Sequence, residues 1–481
     1  MFFICTFAET IKNVTMKKLL LLTLPLIMFA CGQKTQQQEE PQSFTGAAGE
    51  VKLITLDPGH FHAALVQKTS YPQISEDVYV YSPGGADLKE HLAKVEAYNK
   101  RADNPTHWNE IIYTGEDFME KMIAEKKGNV MVTAGNNRLK TDYIKQTLEA
   151  GINVLADKPM VITPDKFDEL KECFDIAADK GILLYDIMTE RHEITTILQR
   201  ELSLLADVYG SQENGTPDNP GVVMESVHNF YKVVSGNALI RPAWFYDIKQ
   251  QGEGLVDVST HLVDLVQWEC FPNVILDYTK DIQMNSARRW PTVLTKEQFK
   301  ASTGMDEFPD FLKDDVKDGK LNVYQNGEIN YCLKGVNAKL TILWDYEAPV
   351  GGDSHYSNLR GTKAELTIKQ GKEENFRPEL YITPTKETLK GLKGYEEALN
   401  KNFAELVKKY PGIALEKTKN GKAWHVIIPD SYRNGHEAHF GQVTENFLKY
   451  LVDGKLPEWE VPNMIAKYYV TTQALKMALE K

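Results

Sequence analysis

The sequence predicts an α/β protein. A doubly wound parallel sheet is expected over residues 51–190, followed over 191–481 by an α+β part on a large, mainly antiparallel open sheet. Three observations predict this. Strand-like and helix-like stretches alternate from Val51 to Ile187, the grammar of a parallel sheet wrapped by helices. After about Arg191 the alternation stops and β-rich stretches dominate. The 481 residues, 42% hydrophobic, also exceed what one ordinary core organises.

The elements follow in order. "MKKLLLLTLPLIMFAC", Met16 to Cys31, has a basic start and an apolar stretch too short to span a bilayer comfortably. Residues 1–15 lie ahead of this natural-looking start. Its end, "MFAC", resembles a bacterial lipoprotein signal. The resemblance implies lipidation of Cys31, export, and an anchor in the cell envelope facing the periplasm, with no other membrane contact. Residues 1–31 are therefore read as a leader. Residues 32–50, polar and Gln-rich, are read as a flexible tether.

The alternating region begins with "VKLITL" as a strand and "HAALVQKT" as a helix. "DVYVYS" (strand), "DLKEHLAKVEAYNKRA" (helix), "EIIYTG" (strand) and "EDFMEKMIAEK" (helix) follow. "NVMVTA", "INVLAD" and "ILLYDIM" supply three more strands, separated by the helices "LKTDYIKQTLEA" and "PDKFDELKECFDIAADKG". Gly151 and Gly181 stand just past two of these helices, where a left-handed cap is expected. Such a sheet places ligands at the C-terminal strand ends. Beyond it, "VVMESVHNFYKVV", "KLTILWDYE", "YSNLRGTKAELTIKQ" and "AWHVIIP" read as strands. "GLVDVSTHLVDLVQWEC" and the two tail segments "QVTENFLKYLVDGK" and "NMIAKYYVTTQALKMALEK" read as helices.

Composition narrows the function. The net charge of −12 comes without a basic block, which argues against a nucleic-acid partner. Cys173, Cys270 and Cys332 are far apart and no C-x-x-C occurs, so neither a thiolate metal site nor a disulfide framework is suggested.

"LDPGHFHAAL", Leu56 to Leu65, directly follows the first strand and admits two readings. In one, His60 and His62 beside Asp57 form a metal-binding His-x-His at a strand end, as in amidohydrolase barrels. That reading needs further ligands on later strands, and His91 and His107 sit at no convincing strand end. In the other, "DPGHFH" is a dinucleotide turn reduced to its middle glycine, Gly59. Asp57 and His62 then replace the outer glycines, and Ser82 stands where an acidic ribose ligand is usual.

Two later stretches favour the second reading. "TLEAGINVLADKP" is similar to the "ALxAGKHVxxEKP" of the glucose–fructose oxidoreductase and inositol dehydrogenase (Gfo/Idh/MocA) family, with Asp157 for the usual Glu. "GEGLVDVSTHLVD" is similar to that family's "GGGxLxDxGxHxxD". The resemblance implies a Rossmann-like nucleotide domain and NAD or NADP, tightly bound. It also implies a sugar or glycoside substrate and catalysis by Lys158, Asp257 and His261. Asp257 and His261 are four apart and would share one helical face. A histidine suits removal of a hydroxyl proton, a lysine stabilises the developing alkoxide, and the carboxylate orients them. Gly59, His60, Phe61, His62, Ser82, Asn136, Asp157 and Lys158 are the expected cofactor contacts. Arg191, His228, Tyr246, Asp264 and His355 are substrate candidates by position. No metal is expected, and a homo-oligomer is. Two alternatives stay open, the first favoured by export, because the envelope holds no free nicotinamide pool, the second by the loss of two loop glycines. One is a redox-neutral glycosidase that oxidises and then eliminates; the other is a glycan-binding relative without chemistry.

Overall fold

The computed structural model describes residues 43–480 apart from 235–236, 349–351 and 420. The leader, Cys31 and most of the expected tether lie outside the described residues. Residues 43–50, expected within the tether, are instead folded. Phe44 is buried in the core, and the Glu50 carboxylate accepts the backbone N–H groups of Thr45, Gly46 and Ala47 at 2.8–3.0 Å.

The first sheet is parallel and six-stranded. Its strands are β1 (Leu53–Leu56), β2 (Asp77–Ser82), β3 (Asn109–Thr114), β4 (Val130–Thr133), β5 (Asn153–Asp157) and β6 (Leu184–Ile187), in the order β3-β2-β1-β4-β5-β6. Strands β1, β4, β5 and β6 are buried throughout, as their near-continuous apolar runs require when helices cover both faces. The order reverses between β1 and β4, and the strand ends there define the ligand crevice. The helices are α1 (His62–Leu65), α2 (Ala86–Lys100), α3 (Phe118–Glu125), α4 (Lys140–Glu149) and α5 (Phe167–Lys180). Helix α1 is shorter than its sequence suggests. Gln67 and Lys68 donate to the carbonyls three residues back, so the coil tightens and stops ahead of Pro72.

The second sheet has ten strands. Nine of them, β7 (Val222–Tyr231), β8 (Ile282–Leu294), β9 (Lys320–Leu333), β10 (Val336–Glu347), β11 (Ser354–Arg360), β12 (Ala364–Gln370), β13 (Glu379–Pro384), β14 (Ala414–Lys417) and β15 (Trp424–Ile427), run in the order β8-β9-β10-β7-β11-β12-β13-β15-β14. A short strand, Val316–Lys317, pairs beside β9. Only β7 and β10 pair in parallel. Helices α6 (Ile194–Ser203) and α7 (Ser259–Cys270) pack on this sheet.

The stretch expected to be helical from Gly254 becomes helix only at Ser259. A Cβ on Gly254 would lie 2.0 Å from the Gln325 carbonyl oxygen. The chain therefore runs hard against β9 and turns through 254–258 before the helix starts. Asp257 sits in that turn, not on the helical face it was expected to share with His261.

The two tail helices, α8 (His436–Asp453) and α9 (Glu460–Leu479), cross back to the first sheet. Phe440, Val443, Phe447, Met464 and Tyr468 belong to its core. A buried ionic network fixes α9. Lys467 Nζ lies 2.7 Å from Asp186 and 2.9 Å from Asp264, and Arg191 donates to Asp264 and Glu460 at 2.6–2.8 Å.

Candidate active site

A cavity of about 930 Å³ opens between the C-terminal ends of the first sheet and the face of the second. Seven of the chain's 11 histidines line it: His60, His62, His228, His261, His355, His436 and His439. Its charged lining is balanced, with Lys158, Lys232, Arg241, Arg377 and Arg433 against Glu190, Glu193, Asp257, Asp353 and Asp430.

Lys158 follows the last residue of β5 and reaches into this cavity. Its Nζ donates to Asp257 Oδ1 at 2.6 Å. Burial works to lower the lysine pKa, but Asp257 and Asp157 outweigh it and hold the ammonium above its usual value. Asp257 in turn accepts from Gln251 Nε2 at 3.0 Å. The Gln251 segment is clasped by the loop after β4: Asn136 Nδ2 donates to Gln250 Oε1 at 2.6 Å, and Asn137 Nδ2 to the Gln251 carbonyl at 2.7 Å. The two sheets are thereby registered at Lys158 and Asp257.

His261, in the first turn of α7, lines the same cavity. Burial, then Lys158 and His436, push its pKa well below the ordinary histidine value, so the ring is neutral. Its buried Nδ1 has no hydrogen-bond partner among the described residues. Glu190, missed by the sequence reading, also lines the cavity. Burial and the neighbouring Glu193 push its pKa up to about 7. Its place just past β6 is the available signal, because strand ends carry function in such sheets.

The turn after β1 is built differently. Asp57 has φ +46° and accepts from Tyr143 Oη at 3.1 Å. The N–H groups of Gly59 and His60 both donate to the Ala134 carbonyl, at 3.2 and 3.1 Å. Gly59 packs against Gly135, where a Cβ would meet the turn's own backbone at 2.5 Å. Over Gly59, Trp244 Nε1 donates to Asp87 Oδ2 at 2.8 Å. Burial raises the pKa of both Asp57 and Asp87. Ser82 does not face the cavity; its Oγ accepts the N–H of Gly84 at 3.0 Å. Phe61 is partly exposed at the cavity mouth.

His60 and His62 turn inward. Each Nδ1 faces Asp157 Oδ2, at 4.0 and 3.0 Å. Burial pushes both rings well below the ordinary histidine pKa.

The substrate candidates divide. His228 and His355 line the cavity. His228 is held by Ser226 at 2.8 Å and Asp353 at 3.1 Å, and Lys232 pairs with the same carboxylate. Burial alone would raise the Asp353 pKa; His228 and Lys232 hold it well below the usual range. Arg191, Asp264 and Tyr246 are corrected. Arg191 and Asp264 form a bidentate pair inside the α9 network, away from the cavity. Tyr246 is a core residue donating to Ser302 at 2.7 Å. Position alone could not separate a polar residue facing ligand from one satisfied inside the protein.

Comparison with known proteins agrees with this layout. Residues 61–185 match the family described as "Oxidoreductase family, NAD-binding Rossmann fold", and residues 198–479 match the "Putative oxidoreductase C terminal domain". A crystal structure from Parabacteroides merdae is 60% identical, covers 91% of this chain and 100% of its own, and superposes with a TM-score of 0.89. Levoglucosan dehydrogenase in complex with NADH shares the fold at 10% identity, covering 89% and 97%, with a TM-score of 0.58. A 3-ketoreductase from Actinomadura kijaniata in complex with NADP and TDP-benzene does so at 12%, covering 87% and 95%, with a TM-score of 0.51. No curated protein sequence matches. The chain belongs to the Gfo/Idh/MocA family of NAD(P)-binding oxidoreductases. The family match begins at Phe61, just past the altered turn.

Proposed function

We propose that this oxidoreductase acts on a hydroxyl of a neutral sugar or glycoside. The observation that carries the reading is the convergence of a charged Lys158 and a neutral, unpartnered His261 in one cavity. The balanced lining disfavours a strongly anionic substrate.

A bound nicotinamide would supply the acceptor for the hydride of the carbinol carbon. The neutral His261 ring receives the hydroxyl proton on its unprotonated nitrogen. Lys158 Nζ donates to the oxygen as charge develops on it. Asp257 keeps that lysine charged and aimed. Asn136, Asp157 and Lys158 would hold the nicotinamide end. The turn at 57–60 would face the pyrophosphate, and it fits one only when Trp244 and Asp87 leave the space over Gly59.

Glu190 favours a second reading, redox-neutral glycoside cleavage. A carboxyl pushed up to about 7 can exchange a proton next to a transient ketone, as elimination requires.

A mass spectrum of nucleotide released from the natively purified protein tests the reading. NAD or NADP in the spectrum, with an oxidised sugar product, supports it; a cleaved glycoside without net oxidation selects the second. A chain that takes up neither nucleotide, even when supplied, leaves glycan binding without chemistry.

We further propose that residues ahead of the fold tether the protein to the envelope through lipid on Cys31, and that it self-associates. Cys31→Ser should move it from the membrane to the soluble fraction; an unchanged distribution would remove the anchor. Sedimentation of the soluble variant reads the assembly.

A further inference from the structure

The imidazoles of the inward-facing His60 and His62 take no part in the proton transfer above. We propose that His60, His62 and Asp157 form a three-ligand site for a divalent transition metal of the zinc class, with its open position toward the cavity.

The donor set is two imidazoles and one carboxylate, a mix that zinc-class ions accept. Both Nδ1 atoms face the same Asp157 Oδ2, at 3.0 and 4.0 Å. The three ligand atoms lie within 4.8 Å of one another. Tetrahedral bonds of 2.0–2.1 Å would put them about 3.3 Å apart, so small side-chain movements close the set. A simple histidine–aspartate hydrogen bond accounts for His62. His60 Nδ1 accepts the His62 backbone N–H at 3.4 Å, a long contact that a metal bond would replace.

The ligands stand on rigid ground. His60 and His62 flank the start of α1, and Asp157 ends the fully buried β5. His60 and His62 line the cavity while Asp157 lies behind them. Three protein ligands with one open place is the pattern of a site that takes up a substrate oxygen. A sugar hydroxyl or carbonyl in the cavity fits that place.

Two cations stand nearby and are each engaged. Lys158 is paired with Asp257, and Lys140 Nζ donates to the Asp157 carbonyl at 3.0 Å. The site shares Asp157 and His60 with the proposed nucleotide contacts, so its test reads metal content and not nucleotide binding.

The test is metal content of the full-length chain, stripped with chelator, dialysed against zinc and then against metal-free buffer. The expected result is one zinc per chain, lost in His60→Ala and His62→Ala and in the near-isosteric Asp157→Asn. His425→Ala, which removes a histidine paired with Glu379 elsewhere, should keep it. Should an alanine variant fail to fold, His62→Gln replaces it, with circular dichroism as the check. Cobalt loading adds a readout independent of activity: the visible bands of four-coordinate cobalt appear in the parent and vanish in the folded variants. A parent that retains no zinc, or folded variants that retain as much as the parent, would overturn the proposal.

Discussion

The two ends of the ligand crevice are held by different means. At the end proposed to be catalytic, Lys158, Asp257 and Gln251 form a chain of side-chain hydrogen bonds, and each member depends on its identity. At the turn after β1, backbone N–H groups and close glycine packing shape the site, with Asp87 and Trp244 above them. Two N–H groups that could meet a phosphate are spent on Ala134. The difference teaches that a chain can hold its chemistry strictly while its anion seat is rebuilt. Chemistry needs particular protons at particular atoms; phosphate binding can be met by many backbone arrangements.

Predictions can break or sharpen this contrast. The largest effect is expected at the catalytic end. His261→Ala should lower kcat by roughly two to four decades, and Lys158→Ala should do likewise. The double variant should be little worse than either, because both act on one hydroxyl in one step. Steady-state turnover measures this, and full activity in either single variant would erase the contrast.

Next to this end, Lys467→Met removes the cation from buried Asp186, which keeps only the Tyr468 hydroxyl, and one of two cations from Asp264. A loss of about 3–5 kcal/mol of stability is expected, read as a lower urea midpoint. An unchanged midpoint would mean the network does not anchor α9.

At the turn the expected effects are smaller and have opposite signs. Asp87→Asn removes a carboxylate beside the phosphate path and loosens Trp244. Nucleotide affinity should rise about fivefold, as expected for about 1 kcal/mol of lost repulsion. Gly59→Val should weaken binding, since its side chain would press on Asp87 and Trp244. Fluorescence titration with nucleotide reads both, and equal affinity in all three proteins would place the pyrophosphate elsewhere.

The smallest effect concerns pH. His261 acts when neutral, and its pKa lies well below the ordinary value of about 6.5. Activity should therefore persist as pH falls through that value and fail only below it. An acid limb of kcat/KM centred at or above 6.5 would assign the base to another group.

The legible parts of the molecule share a physical reason. Strand and helix periodicity is local, so the first sheet, the tail helices and β7, β10, β11, β12 and β15 of the second sheet could be read from the sequence, while β8, β9, β13 and β14 were not. Lys158, Asp257 and His261 were legible because each sits in a short motif of fixed spacing. The turn at 254–258 was not, since Gly254 answers to the backbone of Gln325, a contact across the fold. Asp157 was expected to touch cofactor; its approach to His62 spans 95 positions and no spacing rule reaches it. The Trp244–Asp87 bond is hidden for the same reason. Arg191 and Asp264 look from sequence like site residues because buried ion pairs and ligand contacts use the same side chains.

The return of α8 and α9 to the first sheet has a consequence for the chain's birth. Translation delivers the parallel strands first, but Phe440, Phe447 and Tyr468, which complete their core, leave the ribosome last. Domains that close on themselves can fold as they emerge; here the nucleotide half stays open-faced until the second sheet has been made. Truncation at the far end therefore acts on the first half of the protein.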